Sequence, residues 1–139
     1  MLDQYRFCQC RRGTSAIEFA IVAPLFILIL LTLCAFGIYL GTAHAVQQIA
    51  ADTARVAVAG LSAEERIALA EAHITETVFD YPFIEPDGLV VEVGDDPAPG
   101  QFTVRLAYDA SDLPIWNLMT FAMPSQEIER FATIRIGGL

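Results

Sequence analysis

The sequence contains no lysine, so all eight of its basic residues are arginines, against 17 acidic residues and a formal net charge of −9. The acids are concentrated after the first third of the chain. Residues 42–139 contain 15 acids and five arginines, a difference of −10. Because proteins bind nucleic acids mainly through cationic side chains, this balance argues against a nucleic-acid partner.

Cysteine is also scarce. The three cysteines stand at positions 8, 10 and 34, so the region after Cys34 must fold without a disulfide. Cys8 and Cys10 are too close together to form a structural metal site without other ligands, and we interpret them as reduced thiols. The sequence lacks zinc-ligand spacing, a glycine-rich phosphate loop and a recognisable nucleophile–base motif. We therefore predict no catalytic residue, no metal and no cofactor, and a protein that is not an enzyme.

Charged residues are missing altogether between Glu18 and Asp52. Within this gap, Phe19–Leu40 is rich in Leu, Ile, Ala and Phe. As a helix it spans roughly 33 Å, enough for a bilayer core of about 30 Å. Basic residues that flank a span stay on the cytoplasmic side, and three arginines precede this one: Arg6, Arg11 and Arg12. The sequence thus predicts a single-pass membrane protein with a cytoplasmic N-terminus and an exported, acidic C-terminal part.

Three interpretations of this segment differ in how the chain is processed. A cleaved signal peptide would end at Ala43-His44-Ala45, which has the small-x-small form of a cleavage site. Its apolar core, however, would far exceed the usual length of about 7–15 residues. An uncleaved anchor explains the arginines and the apolar run, with Glu18 at the membrane interface. A prepilin-type leader gives Glu18 a role as well.

The third interpretation depends on a resemblance. Residues 12–25 read Arg-Gly-Thr-Ser-Ala-Ile-Glu-Phe-Ala-Ile-Val-Ala-Pro-Leu, and Phe36-Gly37 follows. This stretch resembles prepilins, and most closely the TadE-like family of minor pilins, or pseudopilins, of the bacterial Tad (Flp) pilus system. The resemblance implies an inner-membrane protein that a prepilin peptidase cleaves after Gly13, so that Thr14 becomes the mature N-terminus. It also implies as partners the prepilin peptidase, the major pilin, other minor pilins, the Tad inner-membrane platform and membrane lipid.

Two residues of the same stretch have physical consequences for assembly. An acid such as Glu18 is costly in an apolar helix bundle unless it is paired. Cleavage after Gly13 would create a positive α-amine for it, on its own chain or on a neighbouring subunit. Pro24 removes one backbone hydrogen bond of the helix, so we expect a kink there.

Helical periodicity continues beyond the membrane and predicts one long helix from about Ser15 to Ala59, which ends at Gly60. Ser62-Ala-Glu-Glu65 is a capping box that opens a second helix to about Phe79. Strands are predicted at residues 89–93, 101–108 and 125–136, with a hairpin loop at 94–100.

Two further features allow more than one interpretation. The apolar run Leu113–Met123, with Asp112 as its N-cap, is either a buried helix or a surface that docks on a membrane or partner. We favour the buried helix. Aspartates at 95, 96, 109 and 112 have the oxygen ligands that calcium prefers, but they lack EF-hand spacing, so we predict no metal there.

The predicted fold is α+β and pilin-like: a long N-terminal transmembrane helix, a second helix and a small antiparallel sheet of about three strands. Residues 1–13 form the cytoplasmic leader, 14–60 the long helix with its transmembrane segment at about 19–40, and 61–139 the exported domain. The predicted function is that of a minor pilin or pseudopilin in Tad-type pilus assembly. The alternative is an uncleaved single-pass membrane protein with an exported binding or sensing domain.

Overall fold

The computed structural model describes residues 11–96, 99–116 and 124–136. These residues form two α-helices, α1 (Arg11–Ala57) and α2 (Ala63–Thr77), and three strands, β1 (Leu89–Asp95), β2 (Gln101–Asp109) and β3 (Glu127–Arg135). The strands make one antiparallel sheet in the order β1-β2-β3. The predicted α+β class is therefore confirmed. Cys8, Cys10 and most of the predicted leader lie outside the described residues.

The long helix α1 has 47 described residues and is already helical at Arg11, the first of them, so it includes residues before the predicted start at Ser15. It ends at Ala57 because the next residues tighten into a turn. In this turn the N–H of Gly60 donates to the Ala57 carbonyl at 3.0 Å. Glycine is needed at position 60, since a Cβ there would lie 2.7 Å from the backbone nitrogen of Arg66.

The second helix begins as the sequence predicts. Ser62 Oγ accepts a hydrogen bond from the Glu65 N–H at 3.2 Å, and Glu65 Oε2 accepts one from the Leu61 N–H at 2.9 Å. The reciprocal bonds satisfy two amides that the helix start would otherwise leave unpaired. The helix ends at Thr77 rather than Phe79, because Val78–Asp80 forms a 3-10 turn.

The sheet has one buried face. The central strand β2 alternates as predicted, and its inward side chains are Phe102, Val104, Leu106 and Tyr108, all buried. Strand β3 is regular even where its sequence pattern breaks: Arg130 shares the face of the buried Ile128, while Phe131 is 61% exposed on the other face. Backbone pairing with β2, rather than side-chain alternation, maintains β3 through this break.

The core lies between the C-terminal half of α1, α2 and the inner face of the sheet. Small and β-branched side chains on α1 let the helix approach both neighbours closely: Val46, Ile49, Ala50 and Ala54. Gln47 of α1 also donates a hydrogen bond to the Phe131 carbonyl at 3.2 Å, at the edge strand β3. The long helix is therefore part of the domain's core as well as its N-terminal extension.

The helix predicted to begin at Leu113 is absent from the part of this run that the structure describes. Residues 111–116 form turns, and Asp112 is exposed without capping a helix. The Ala110 carbonyl accepts the Leu113 N–H at 3.1 Å, which closes the chain into a tight turn. Leu113 and Ile115 are nevertheless buried, as the core interpretation predicts. The remainder of the run, 117–123, lies outside the described residues.

Candidate membrane-spanning and assembly surface

The long helix has a bare half and a covered half. From Ser15 to Cys34, here called the bare half, every residue is exposed except Ala23 and Thr32, which are partly exposed. From position 35 onward, side chains at helical spacing are buried against the rest of the protein: Ala35, Tyr39, Ala43 and Val46. The folded domain therefore covers α1 from within the predicted span 19–40, before that span ends.

The bare half is almost entirely apolar. Phe19 is 73% exposed and Leu33 is 66% exposed. Such a continuous apolar surface is rare on soluble monomers and indicates contact with lipid or protein. The helix is long and apolar enough to cross a membrane, and only 6% of its most apolar 18-residue window is buried. Thr32 Oγ1 donates to the Leu28 carbonyl at 2.7 Å, so this hydroxyl is compatible with an apolar environment.

The structure places Gly13, Thr14 and Glu18 on the same helix, at its N-terminal end. Thr14 and Glu18 are four residues apart, so they lie on adjacent turns of one helix face. Glu18 is exposed, which leaves its carboxylate accessible to another subunit. The Gly13–Thr14 peptide bond is helical in the uncleaved chain, whereas a peptidase site takes an extended segment, so cleavage there requires this first turn to unwind.

Pro24 lies inside α1, and the helix continues on both sides of it. Because proline has no N–H, the carbonyl of Ala20, one turn earlier, loses its usual donor. The kink expected at Pro24 stays a prediction.

The bare and covered halves meet at an aromatic contact. The Tyr39 and Trp116 rings are perpendicular, with their centroids 6.3 Å apart. The Tyr39 hydroxyl donates to the Ser125 carbonyl at 3.2 Å, and Trp116 Nε1 donates to the Ala110 carbonyl. The ring contact connects α1 to the chain that follows β2, and the Tyr39 hydrogen bond connects α1 to the chain that enters β3.

An apolar groove of about 470 Å³ runs beside this junction. Its lining comes from α1 (Cys34, Gly37, Ile38, Gly41 and Ala45) and from the connection between α2 and β1 (Pro82 and Phe83). Phe83 has a φ of 65°, which is strained for a residue with a side chain. The buried Tyr108 hydroxyl donates to the Phe83 carbonyl at 3.0 Å and accepts from the Glu85 N–H at 3.3 Å. The core thereby holds this wall of the groove in place.

Three of the four aspartates considered for calcium have protein partners. Asp95 pairs with Arg66 at 3.1 Å, and Asp96 accepts a hydrogen bond from Thr103 at 3.0 Å. Asp109 accepts the Ser111 N–H at 2.9 Å, and this backbone hydrogen bond lowers the pKa of the Asp109 carboxyl. In the part of the chain that the structure describes, no group of three or more His, Cys, Asp and Glu side chains could hold a metal ion.

Two structural features were not predicted from the sequence: the strained backbone of Phe83 beside the groove and the burial of Arg66 near the start of α2. The strained Phe83 has no local sign beyond the preceding Pro82, because the Tyr108 that holds it comes from β2, far along the chain. Arg66 is buried, with its guanidinium 5.9 Å from the centre of the Phe102 ring. Its burial has one weak sign in the sequence, a spacing of four residues from the buried Ala70.

Residues 13–55 match the family model described as TadE-like protein. The N-terminal region is therefore similar to TadE-like proteins. The TadE-like region starts at Gly13, includes the whole bare half and ends in the covered half of α1. It confirms the resemblance predicted from residues 12–37 and suggests a protein associated with the Tad pilus. No curated protein and no solved structure matches the chain.

Proposed function

We propose that this chain is a minor pilin or pseudopilin that takes part in the assembly of a Tad-type pilus. Its bare half is inserted in the bacterial inner membrane, with the N-terminus cytoplasmic and the sheet domain exported. One observation carries the proposal: the TadE-like match starts at Gly13 and coincides with an exposed apolar helix whose early turn carries Glu18. An apolar helix with one acid near its start can hold the subunit in the membrane before assembly and pack against the helices of other subunits during assembly.

Processing by a prepilin peptidase follows from this assignment. Cleavage between Gly13 and Thr14 releases the leader and leaves a positive α-amine on Thr14. In an α-helix this amine lies one turn from the Glu18 carboxylate, close enough for an ion pair. The same carboxylate can pair with the amine of a neighbouring subunit, which offsets the cost of placing an acid among apolar helices.

The apolar surface of the bare half provides the contacts with lipid first and with pilin subunits later. Its partners are the prepilin peptidase, the major pilin, other minor pilins and the Tad inner-membrane platform. The proposal assigns no catalytic activity to the chain, and its test is therefore assembly rather than turnover.

The Glu18→Ala variant tests the pairing role. Membrane insertion should stay intact, because the substitution makes the helix more apolar, while pilus assembly should fall because the subunit amine loses its partner. The matched control is Glu76→Ala, which removes an exposed acid from α2. Pilus number per cell and membrane fractionation are measured for both. Normal piliation in Glu18→Ala cells would remove the pairing hypothesis.

The Gly13→Ala variant tests the cleavage site. The added methyl should slow cleavage far more than insertion, because the peptidase must accommodate this residue at the scissile bond. The matched control is Gly37→Ala, in the same helix, where an added Cβ meets nothing within 4 Å. Intact mass should report the full-length chain for Gly13→Ala and the processed chain for Gly37→Ala. Processing of both to the same N-terminus would count against the site.

An uncleaved single-pass protein with an exported binding or sensing domain is the second candidate. The helical conformation of the Gly13–Thr14 bond favours it, since peptidases act on extended segments. A mature chain that retains its first 13 residues would favour this function over the first.

A further inference from the structure

The bare half is short for a bilayer. Between Glu18 and the first covered residue, Ala35, the exposed apolar segment is Phe19–Cys34. At about 1.5 Å per residue this segment spans roughly 24 Å, against about 30 Å for a hydrocarbon core. If Glu18 lies at the cytoplasmic interface, the end of the folded domain that covers Ala35 is therefore held against the hydrocarbon boundary on the exported side of the membrane.

Among the described residues, the Phe83 rim, which consists of Pro82 and Phe83, lies beside this level of α1. These residues line the apolar groove together with Cys34, the last residue of the bare half, and Gly37, one turn further along α1. Phe83 is 53% exposed despite its apolar ring. Its surface is thus continuous with the apolar surface of α1 at the depth where the helix leaves the membrane.

The rim is also held in position. Phe83 keeps its strained φ of 65° because the hydroxyl of Tyr108, a core residue of β2, donates to the Phe83 carbonyl and accepts from the Glu85 N–H that follows it. Backbone strain of this kind persists only where the surrounding structure enforces it. The domain therefore maintains an exposed aromatic ring next to the membrane-spanning helix.

We propose that Phe83 is an interfacial anchor whose ring inserts into the phospholipid bilayer on the exported side and seats the domain on the membrane. Trp and Tyr are enriched at this depth of a bilayer, and the Phe side chains of interfacial segments bury their rings at the boundary between headgroups and acyl chains. The contact is apolar, because the exported region is strongly acidic and gains nothing from anionic lipid. The proposal rests on the membrane insertion included in the proposed function.

The test uses the full-length chain in phosphatidylcholine vesicles that contain acyl-brominated lipid, which quenches nearby tryptophan. Three single variants carry a new tryptophan: Phe83→Trp at the rim, Phe131→Trp on the exposed outer face of the sheet, and Phe26→Trp in the bare half. Trp116 is common to all three and is subtracted as background. We expect the Phe83→Trp and Phe26→Trp emissions to shift to the blue and to be mostly lost, and the Phe131→Trp emission to stay unchanged.

Each other outcome overturns a different statement. Quenching of Phe26→Trp without quenching of Phe83→Trp refutes the anchor and leaves insertion standing. Absence of quenching in Phe26→Trp refutes insertion, and the anchor with it. A third outcome is a Phe83→Trp emission that is shifted to the blue but not quenched, and that shifts back to the red when each vesicle holds only one chain. This outcome means that a second copy of the chain covers the groove, and it refutes the lipid contact.

A second measurement avoids substitution altogether, in case Phe83→Trp does not fold. In nanodiscs, a water-soluble paramagnetic agent should broaden the ring resonances of Phe131 far more than those of Phe83 in the unsubstituted chain. Equal broadening would refute the anchor.

Discussion

The strongest stability prediction concerns the hydroxyl of Tyr108. Tyr108 is 2% exposed, and its hydroxyl donates to the Phe83 carbonyl and accepts from the Glu85 N–H. Tyr108→Phe removes that one oxygen and keeps the ring, so it creates no large cavity. We expect this variant to lower the free energy of unfolding and to loosen the chain between α2 and β1.

The magnitude follows from two opposing effects. A buried polar group that loses its hydrogen bond costs about 1–3 kcal/mol. Phe83 and Glu85 are exposed, so water partly replaces the lost partner and the cost lies at the lower end. The strain of Phe83, roughly 1–2 kcal/mol, is relieved when the loop relaxes. Because the hydroxyl has two partners, the gross loss is about 2 kcal/mol, which the relieved strain reduces to about 1 kcal/mol or less. Phe83→Gly should stabilise the wild type more than it stabilises Tyr108→Phe.

The matched control is Tyr81→Phe, in the same connection. Burial and the carboxylates of Asp52 and Asp80 raise the pKa of Tyr81, so its phenol stays neutral, and no hydrogen bond from this hydroxyl is formed within the described residues. Removal of its oxygen should change the free energy of unfolding by less than about 0.5 kcal/mol.

The assay is denaturant unfolding of the full-length chain in detergent micelles, followed by Trp116 emission, because Trp116 contacts α1 through Tyr39. Amide exchange at Glu85 should accelerate in Tyr108→Phe and stay unchanged in the control. Equal destabilisation by the two Tyr→Phe changes, or unchanged exchange at Glu85, would refute the argument that this hydroxyl holds the rim.

Three other changes test the domain end opposite the rim and the sheet. Asp95→Asn should destabilise the fold by about 1–2 kcal/mol in denaturant unfolding, because it leaves the buried Arg66 without its carboxylate. The control Asp52→Asn breaks an exposed ion pair and should cost less than about 0.5 kcal/mol. Equal losses in the two variants would contradict the claim that the buried pair contributes more than the exposed one. Gly60→Ala should cost about 1–3 kcal/mol, since its Cβ would lie 2.7 Å from a backbone nitrogen, and an unchanged melting temperature would show that the turn adapts freely. Because the pKa of Asp109 is lowered in the folded state, its carboxylate stabilises the fold above the unfolded pKa of about 3.9, and this contribution is lost as pH falls through the folded pKa. Asp109→Asn should therefore reduce the fall in the free energy of unfolding at acidic pH. An unchanged pH dependence in this variant would refute the argument.

Much of the architecture could be predicted from local pattern. The capping box at Ser62–Glu65, the alternation of β2 and the absence of charge after Glu18 each depend on neighbouring residues alone, and each has its expected counterpart in the structure. The TadE-like resemblance was likewise readable from a short motif near Gly13. Features that local spacing determines are visible in a sequence.

The rest depends on contacts between distant residues. The sequence predicts Ala35 and Tyr39 as part of the membrane span, because no neighbouring residue indicates that the folded domain buries them. The strain at Phe83 requires a hydroxyl from β2. Turns occupy residues 111–116, the described part of the run where the expected helix would begin, although Asp112 and the proline two residues later form a plausible helix start. Tertiary contacts overrode local propensity in each case.

The central claim is that the chain is processed as a pilin. We would determine the intact mass and the N-terminal sequence of the protein from its native membranes, with and without the cognate prepilin peptidase. The account predicts a chain that begins at Thr14 only when the peptidase is present. A chain that begins at Met1 in both samples would contradict it and identify a plain membrane anchor, and a start at Val46 would identify a cleaved signal peptide.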